Sequence, residues 1–161
     1  MTHVLVVAEH DGARLDAATA KCVRCALDLS PKAVVVAVLA DGGADIAAQA
    51  ARLEGVTQVV HVDAPHNAVP LAAVFAPQLE SLANGFTHLL GPSSTFGKDL
   101  LPRVAALLGV GQISDVLAVL GPHRFRRPVH AGNAIVTVDA DPQRLVVATV
   151  RLASYRDIGD G

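Results

Sequence analysis

The chain has 161 residues, about one ordinary domain, and a charged fraction of 17% beside an apolar fraction of 52% asks for a single packed core. A formal net charge of −2 withholds the basic footprint that phosphate backbones need, and 3% aromatic residues leave few platforms for stacked bases, which argues against a nucleic-acid partner. No apolar run approaches the ~20 residues of a membrane span, and a strand-like run begins directly after Met1 without a basic leader, so the protein is expected to stay where it is made.

The first two thirds alternate short apolar runs with helical patterns, the signature of a parallel sheet covered on both faces. Residues 4–8, 33–39, 58–62 and 87–91 read as four strands. Between the first two, Leu15, Ala18, Cys22, Cys25, Ala26 and Leu29 recur at helical spacing and form one inward stripe. An alanine-rich helix follows Gly42-Gly43 and ends near Leu53. A third helix carries Leu71, Val74, Phe75, Leu79 and Leu82, with a kink expected at Pro77. The fourth shows Leu101, Val104, Ala105 and Leu108 on one face and stops at Gly109. After Gly111 the pattern changes to strands without helices, at 113–120, 125–131, 134–139 and 145–151. Gly132-Asn133 reads as a two-residue hairpin turn and Asp141-Pro142 as a second turn. The expected fold is therefore a three-layer α/β/α domain, nucleotide-hydrolase-like, with a mainly parallel sheet extended by C-terminal antiparallel strands. It should occupy residues 1–154, with 155–161 as a tail or the start of a linker.

Few residues group into chemistry. Cys22-Val-Arg-Cys25 is the only CxxC, and it lies in the body of a helix on the buried stripe. A redox pair draws its low thiol pKa from a helix N-terminus, and a zinc site needs two more ligands, so core packing is the expected role. The seven histidines show no i, i+4 metal pattern, which leaves structural or surface roles and no metal site. His10-Asp11, at the end of the first strand, stands where open α/β sheets place ligands. The loop from Gly91 to Lys98 imitates a phosphate loop, yet five residues separate its glycines and Asp99 replaces the metal-binding hydroxyl. Ser94, Gly97 and Lys98 are left as a weak anion-site candidate at a helix N-terminus, against the simpler reading of Ser94 or Thr95 as a cap and Gly97 as a tight entry. GxGxxG and GxSxG are both absent, so neither a dinucleotide fingerprint nor a nucleophile elbow is present. Arg124, Arg126 and Arg127 precede Pro128 on a strand expected near a sheet edge, where they protect the edge or face a protein partner.

Three separated segments then carry a resemblance: Ser94-Thr-Phe-Gly-Lys-Asp-Leu-Leu-Pro-Arg103, Gln112-Ile-Ser-Asp115-Val, and Arg127-Pro-Val-His-Ala-Gly-Asn133. Together with the opening Val-Ala8-Glu9-His10-Asp11 and the closing Thr149-Val-Arg151, they are similar to the N-terminal domain of the electron transfer flavoprotein alpha subunit, over essentially the whole chain. His130 stands where that family usually has tyrosine. The resemblance implies an electron carrier domain without a catalytic site of its own. It implies a beta-subunit partner, an FAD held by the complete heterodimer, and dehydrogenases and an acceptor reached through that assembly. It also implies that the glycine-rich flavin-binding segments lie in a C-terminal domain with no counterpart here, so no cofactor is expected on this chain alone. The location implied is the cytoplasm of a bacterium or the mitochondrial matrix of a eukaryote. Arg103, Arg127 and Asn133, inside the matching segments, are the interface candidates.

The alternative is a free-standing adenine-nucleotide-binding module of the universal-stress type, whose Gly-x-x-Gly followed by Gly-Ser is missing from the fourth loop. A Cys- or Ser-dependent enzyme lacks a positioned base.

Overall fold

A computed structural model describes residues 1–161. Strands β1 (His3–Val7), β2 (Ala33–Ala40), β3 (Gln58–Asp63) and β4 (His88–Pro92) alternate with helices α1 (Ala17–Leu27), α2 (Ala44–Ala51), α3 (Ala72–Leu82) and α4 (Thr95–Leu108). Then come β5 (Gln112–Val116), β6 (Ala118–Gly121), β7 (Arg124–Val129), β8 (Ala134–Asp139) and β9 (Val146–Val150). The main sheet has six strands in the order β3-β2-β1-β4-β9-β5, and every pairing in it is parallel.

Because successive side chains of a strand point to opposite faces, the buried run of β1 divides between two cores. Val4, Val6 and Ala8 join the cluster under α1 and α2 with Cys22, Cys25 and Ala26, while Leu5 and Val7 join the one under α3 and α4 with Phe75, Leu79 and Leu101. The helical stripe of α1 is buried as its spacing requires, starting from an Asp16 cap whose side chain accepts the Ala18 N–H at 2.8 Å. Helix α3 runs through Pro77, whose ring nitrogen has no hydrogen to offer the Ala73 carbonyl. Phe75 on α3 meets Phe96 on α4 edge to face at 6.2 Å. Helix α4 ends on Gly109 at φ 65, a left-handed cap.

The three-layer class stands, and the last third refines it. The stretch 113–120 divides at Leu117 into β5, which stays in the parallel sheet, and β6, which leaves it. Strands β6, β7 and β8 form a separate antiparallel sheet, and β9 returns to the parallel sheet between β4 and β5. The antiparallel unit thus occupies the place of a crossover helix, since parallel neighbours cannot be joined by a short turn. Its inner residue Phe125 is 1% exposed, in the same core as α1. Strand β7, expected near an edge, is central in its sheet.

The β7–β8 turn is longer than two residues. Val129 pairs with Ala134, which leaves residues 130–133 to reverse the chain. His130, Ala131 and Gly132 have φ of 51, 53 and 86, and Asn133 is right-handed at −73. The chain after Ser154 packs on the helices. Tyr155 is buried, Ile158 touches the α1-side core, Gly159 O accepts from Glu54 N at 3.0 Å, and Gly161 N donates to Arg52 O at 2.8 Å.

Candidate functional site

Strand order reverses between β1 and β4, with β2 on one side and β9 on the other. Open α/β sheets bind ligands in the crevice outside the carboxyl ends of such strands. Here that crevice lies between the segment after β1, Ala8-Glu9-His10, and Ser93-Ser94 with the first turn of α4, Thr95 to Lys98.

Ser94 caps α4, its hydroxyl accepting from Gly97 N at 3.3 Å and donating to Glu9 Oε2 at 2.8 Å. Gly97 is required by space: an added Cβ would lie 1.7 Å from the Pro92 carbonyl oxygen. The close approach of helix and strand end therefore places Ser94 against Glu9. Thr19 holds the other side, its hydroxyl 3.0 Å from Glu9 N and 3.3 Å from Glu9 O. Burial raises the Glu9 carboxyl pKa, the Ser94 hydrogen bond opposes that rise, and the nearby Asp16 adds to it. The mouth of the crevice is thus filled by a carboxylate of the chain itself. An incoming anion at Ser94 meets that charge, and Lys98 in the first turn of α4 is exposed.

His10 does not face outward as a free base. Its Nε2–H donates to the Leu39 carbonyl at 2.7 Å, and its Nδ1 accepts from Gly12 N at 3.1 Å. Asp11 caps the same turn through Ala13 N and Arg14 N at 2.9 and 2.7 Å. Cys22 and Cys25 are free thiols at 0% and 1% exposure, and burial pushes Cys25 up to about 12 and Cys22 well above its ordinary range. A thiolate nucleophile at either position is disfavoured. No three His, Cys, Asp or Glu side chains converge as metal ligands.

The residues singled out in the sequence fall in separate places. Ser94, Gly97 and Lys98 share the α4 N-terminus; Arg103 is on the exposed side of α4; Asn133 is exposed at the β7–β8 turn. Arg127 turns inward, donating from Nε to Ser114 O at 2.8 Å and from Nη2 to Ser114 Oγ at 3.0 Å. It thereby ties β7 to β5 at the bulge where Asp115 has φ 61 and its N–H binds Thr149 Oγ1 at 2.8 Å. Sequence reasoning missed the Glu9–Ser94 contact, although Glu9 directly precedes His10 at the end of a predicted strand. It also missed a histidine pair, His88 and His123, whose rings stack at 6.0 Å at the opposite end of the sheet.

The FAD that the resemblance implies has no fitting residues here. The crevice is closed by Glu9, which would repel a pyrophosphate. A cavity of about 410 Å³, lined by residues 109–113, 138–141 and 144–146, lies at the other end of the strands. Nothing in this geometry favours a nucleotide-binding module of the universal-stress type either.

Comparison with known proteins agrees with the sequence resemblance. The family profile described as electron transfer flavoprotein domain matches residues 4–158. The chain is 41% identical over 152 residues to an electron transfer flavoprotein subunit alpha of Pseudomonas aeruginosa, covering 94% of this chain and 48% of the relative. It is 37% identical over 158 residues to the mitochondrial subunit alpha of Dictyostelium discoideum, covering 94% and 44%. With the subunit alpha of Paracoccus denitrificans the identity is 38% over 146 residues, covering 89% and 46%. The chain spans about half the length of these relatives.

Proposed function

The chain belongs to the electron transfer flavoprotein domain family, and on that premise we propose that it serves as the N-terminal, supporting domain of an alpha subunit. In this reading it docks on a beta subunit, and the complete heterodimer holds the FAD and carries electrons from dehydrogenases to an acceptor. The chain itself catalyses nothing and binds no flavin alone. The domain is placed at residues 1–154, with 155–161 lying against it as the start of the link toward the flavin-binding part of the assembly. No helix is long and apolar enough to cross a membrane, which suits a carrier that meets its partners in the aqueous phase.

The observation that carries this reading is the outer face of the antiparallel sheet. Register places Arg126, Thr137, Ala118, Pro128 and Ile135 on the side opposite buried Phe125 and the half-buried Val119 and Val138. Ile135 is 61% exposed and Leu120 45%, and both outer strands, β6 and β8, present an unpaired edge. Exposed apolar groups beside open edges are what an association surface supplies. Asn133 lies at its rim. Arg127 supports the sheet from within, Arg103 offers a second contact on α4, and anion binding at Ser94, Gly97 and Lys98 is subordinate because Glu9 is there first.

The test is a titration of the chain with FAD, followed by absorbance and fluorescence, alone and then with a beta subunit and the remaining alpha-subunit domain. The chain alone is expected to stay colourless and the full set to acquire flavin. Ile135→Asp should weaken assembly by about tenfold or more if Ile135 is a central contact. Stoichiometric flavin binding by the chain alone would overturn the reading, as would assembly that ignores Ile135→Asp.

A further inference from the structure

The two sheets meet at a pair of histidines. His88, the first residue of β4, is 1% exposed. Its Nε2 lies 2.6 Å from the Pro122 carbonyl in the β6–β7 turn. A carbonyl only accepts, so Nε2 carries the hydrogen and the Nδ1 of the neutral ring accepts from Thr87 Oγ1 at 2.8 Å. The same hydroxyl lies 3.0 Å from the His3 carbonyl and accepts from His3 N at 3.0 Å. His123 stacks on His88 with 20° between the rings, and its Nδ1 is buried without a hydrogen-bond partner. Phe125 meets the His88 ring edge to face at 6.4 Å.

We propose that His88, stacked on His123, forms an acid-sensitive joint: protonation of His88 releases the β6–β7 turn from the parallel sheet while the parallel core stays folded.

The hydrogen bonds alone would tolerate a proton on His88. Nε2–H would still reach Pro122, Nδ1–H would turn to Thr87 Oγ1, and the hydroxyl hydrogen would move to His3 O. The charge is what the site does not tolerate. A cavity of about 360 Å³ beside the pair is lined at the start of β1 by Met1 and Thr2, before and on β4 by Phe86, Thr87 and His88, at the β6–β7 turn by Pro122 and His123, and at the β8–β9 turn by residues 142–145. The titratable or charged groups among them are the Met1 ammonium, His123 and Arg144, and no Asp or Glu lines the space. A buried imidazolium would therefore find no counter-ion in that space.

Opening gives the proton water. Burial holds the His88 pKa below its ordinary 6.5, the Pro122 hydrogen bond opposes this and His123 reinforces it. The closed joint is thus fully favoured above the ordinary histidine pKa. It loses stability as pH falls through the window down to the lowered value, because there the opened state binds more protons. The joint stands on the geometry of this chain; its bearing on beta-subunit docking rests on the proposal for the outer face of the antiparallel sheet.

Amide hydrogen exchange between about pH 7.5 and pH 5, expressed as protection to remove the intrinsic pH effect, tests it, with histidine ring resonances followed alongside by NMR. The reporter is Ala140, whose N–H binds His123 O at 2.7 Å; the reference is Ala8, bound to Ala37 O at 2.9 Å. Protection at Ala140 is expected to fall on acidification with a slope approaching about tenfold per pH unit, the mark of one coupled proton, while Ala8 holds. His88→Gln keeps a side-chain N–H for Pro122 and cannot titrate, so it should flatten the slope. A flat response in the wild type, an equal slope in His88→Gln, or a parallel fall at Ala8 would overturn the proposal. Should the variant not fold, the wild-type NMR titration decides: His88 gaining its proton without loss of protection at Ala140 overturns the joint. If Ala140 opens with acid while beta-subunit affinity stays constant, the joint stands and the docking proposal fails.

Discussion

The strands of this molecule live in two environments. In the parallel sheet β4 and β9 are buried from end to end, whereas β8 in the antiparallel sheet is exposed or half-buried at every position. Both sheets contribute to the core beneath α1, yet only the second has a face that no helix covers. Stability is concentrated in the parallel sheet with its helices, and the surface suited to association is concentrated in the small sheet that replaces a crossover helix. Substitutions should therefore divide into those that unfold the chain and those that alter only how its small sheet is held or what it meets.

The largest effect is expected at Gly97. Its Cβ position lies 1.7 Å from a backbone oxygen, where no rotamer change gives relief. Gly97→Ala must move α4 away from β4 and should destabilise by about 3 kcal/mol or more, read as a lowered urea midpoint. A loss below about 0.5 kcal/mol would mean that helix and strand end are not locked together, and the contrast between a rigid and an adaptable region would break.

A smaller effect is expected at Arg127, whose two hydrogen bonds to Ser114 join the sheets. Arg127→Ala should cost about 1.5–3 kcal/mol, the range for hydrogen bonds made by a charged group. The loss should appear first as faster exchange at Leu117 N–H, which binds Arg126 O at 2.9 Å. Equal acceleration in β1 and β2 would show that the two sheets unfold as one unit. Lysine at this position should not rescue, because it lacks the planar fork that reaches both Ser114 oxygens.

The same division explains what was legible in the sequence. The four βα units were readable because both periodicities, two for strands and 3.6 for helices, stand out where a core imposes them. The destination of the last strand was not read, although a signal existed: Leu145-Val-Val-Ala-Thr-Val150 is apolar but for Thr149, as suits a strand buried on both faces, while Val136-Thr-Val-Asp139 alternates. Gly132-Asn133 misled because a strong local turn signal yielded to register, with Val129 paired to Ala134 across a four-residue reversal. At the candidate site, Ser94 as a cap and Gly97 as a close approach follow from local rules, which also put Arg127 in a strand. Glu9 against Ser94 and Arg127 against Ser114 are long-range contacts between side chains, and no spacing along the chain encodes them.

The smallest effect belongs to the most conspicuous ion pair. Arg124 and Asp139 face each other across β7 and β8 with a forked contact, Nε to Oδ1 at 2.6 Å and Nη2 to Oδ2 at 3.0 Å. The Arg124 hydrogen bond holds the Asp139 carboxyl below its ordinary pKa, and Asp139 raises the guanidinium in turn. A lowered carboxylate pKa adds stability above the unfolded value that is lost as pH falls through the folded one. Both side chains, however, are more than half exposed, at 59% and 63%, so water and salt screen the attraction and ordering the long Arg124 side chain offsets the rest. Arg124→Gln should therefore leave the urea midpoint at neutral pH unchanged within error, at low salt and at high salt alike. A clear loss at low salt that vanishes at high salt would show that the edge of the small sheet depends on this pair. The outer face would then be held partly by its own charges, and the line between a buried region that carries stability and an exposed one that carries contacts would need to be redrawn along β8.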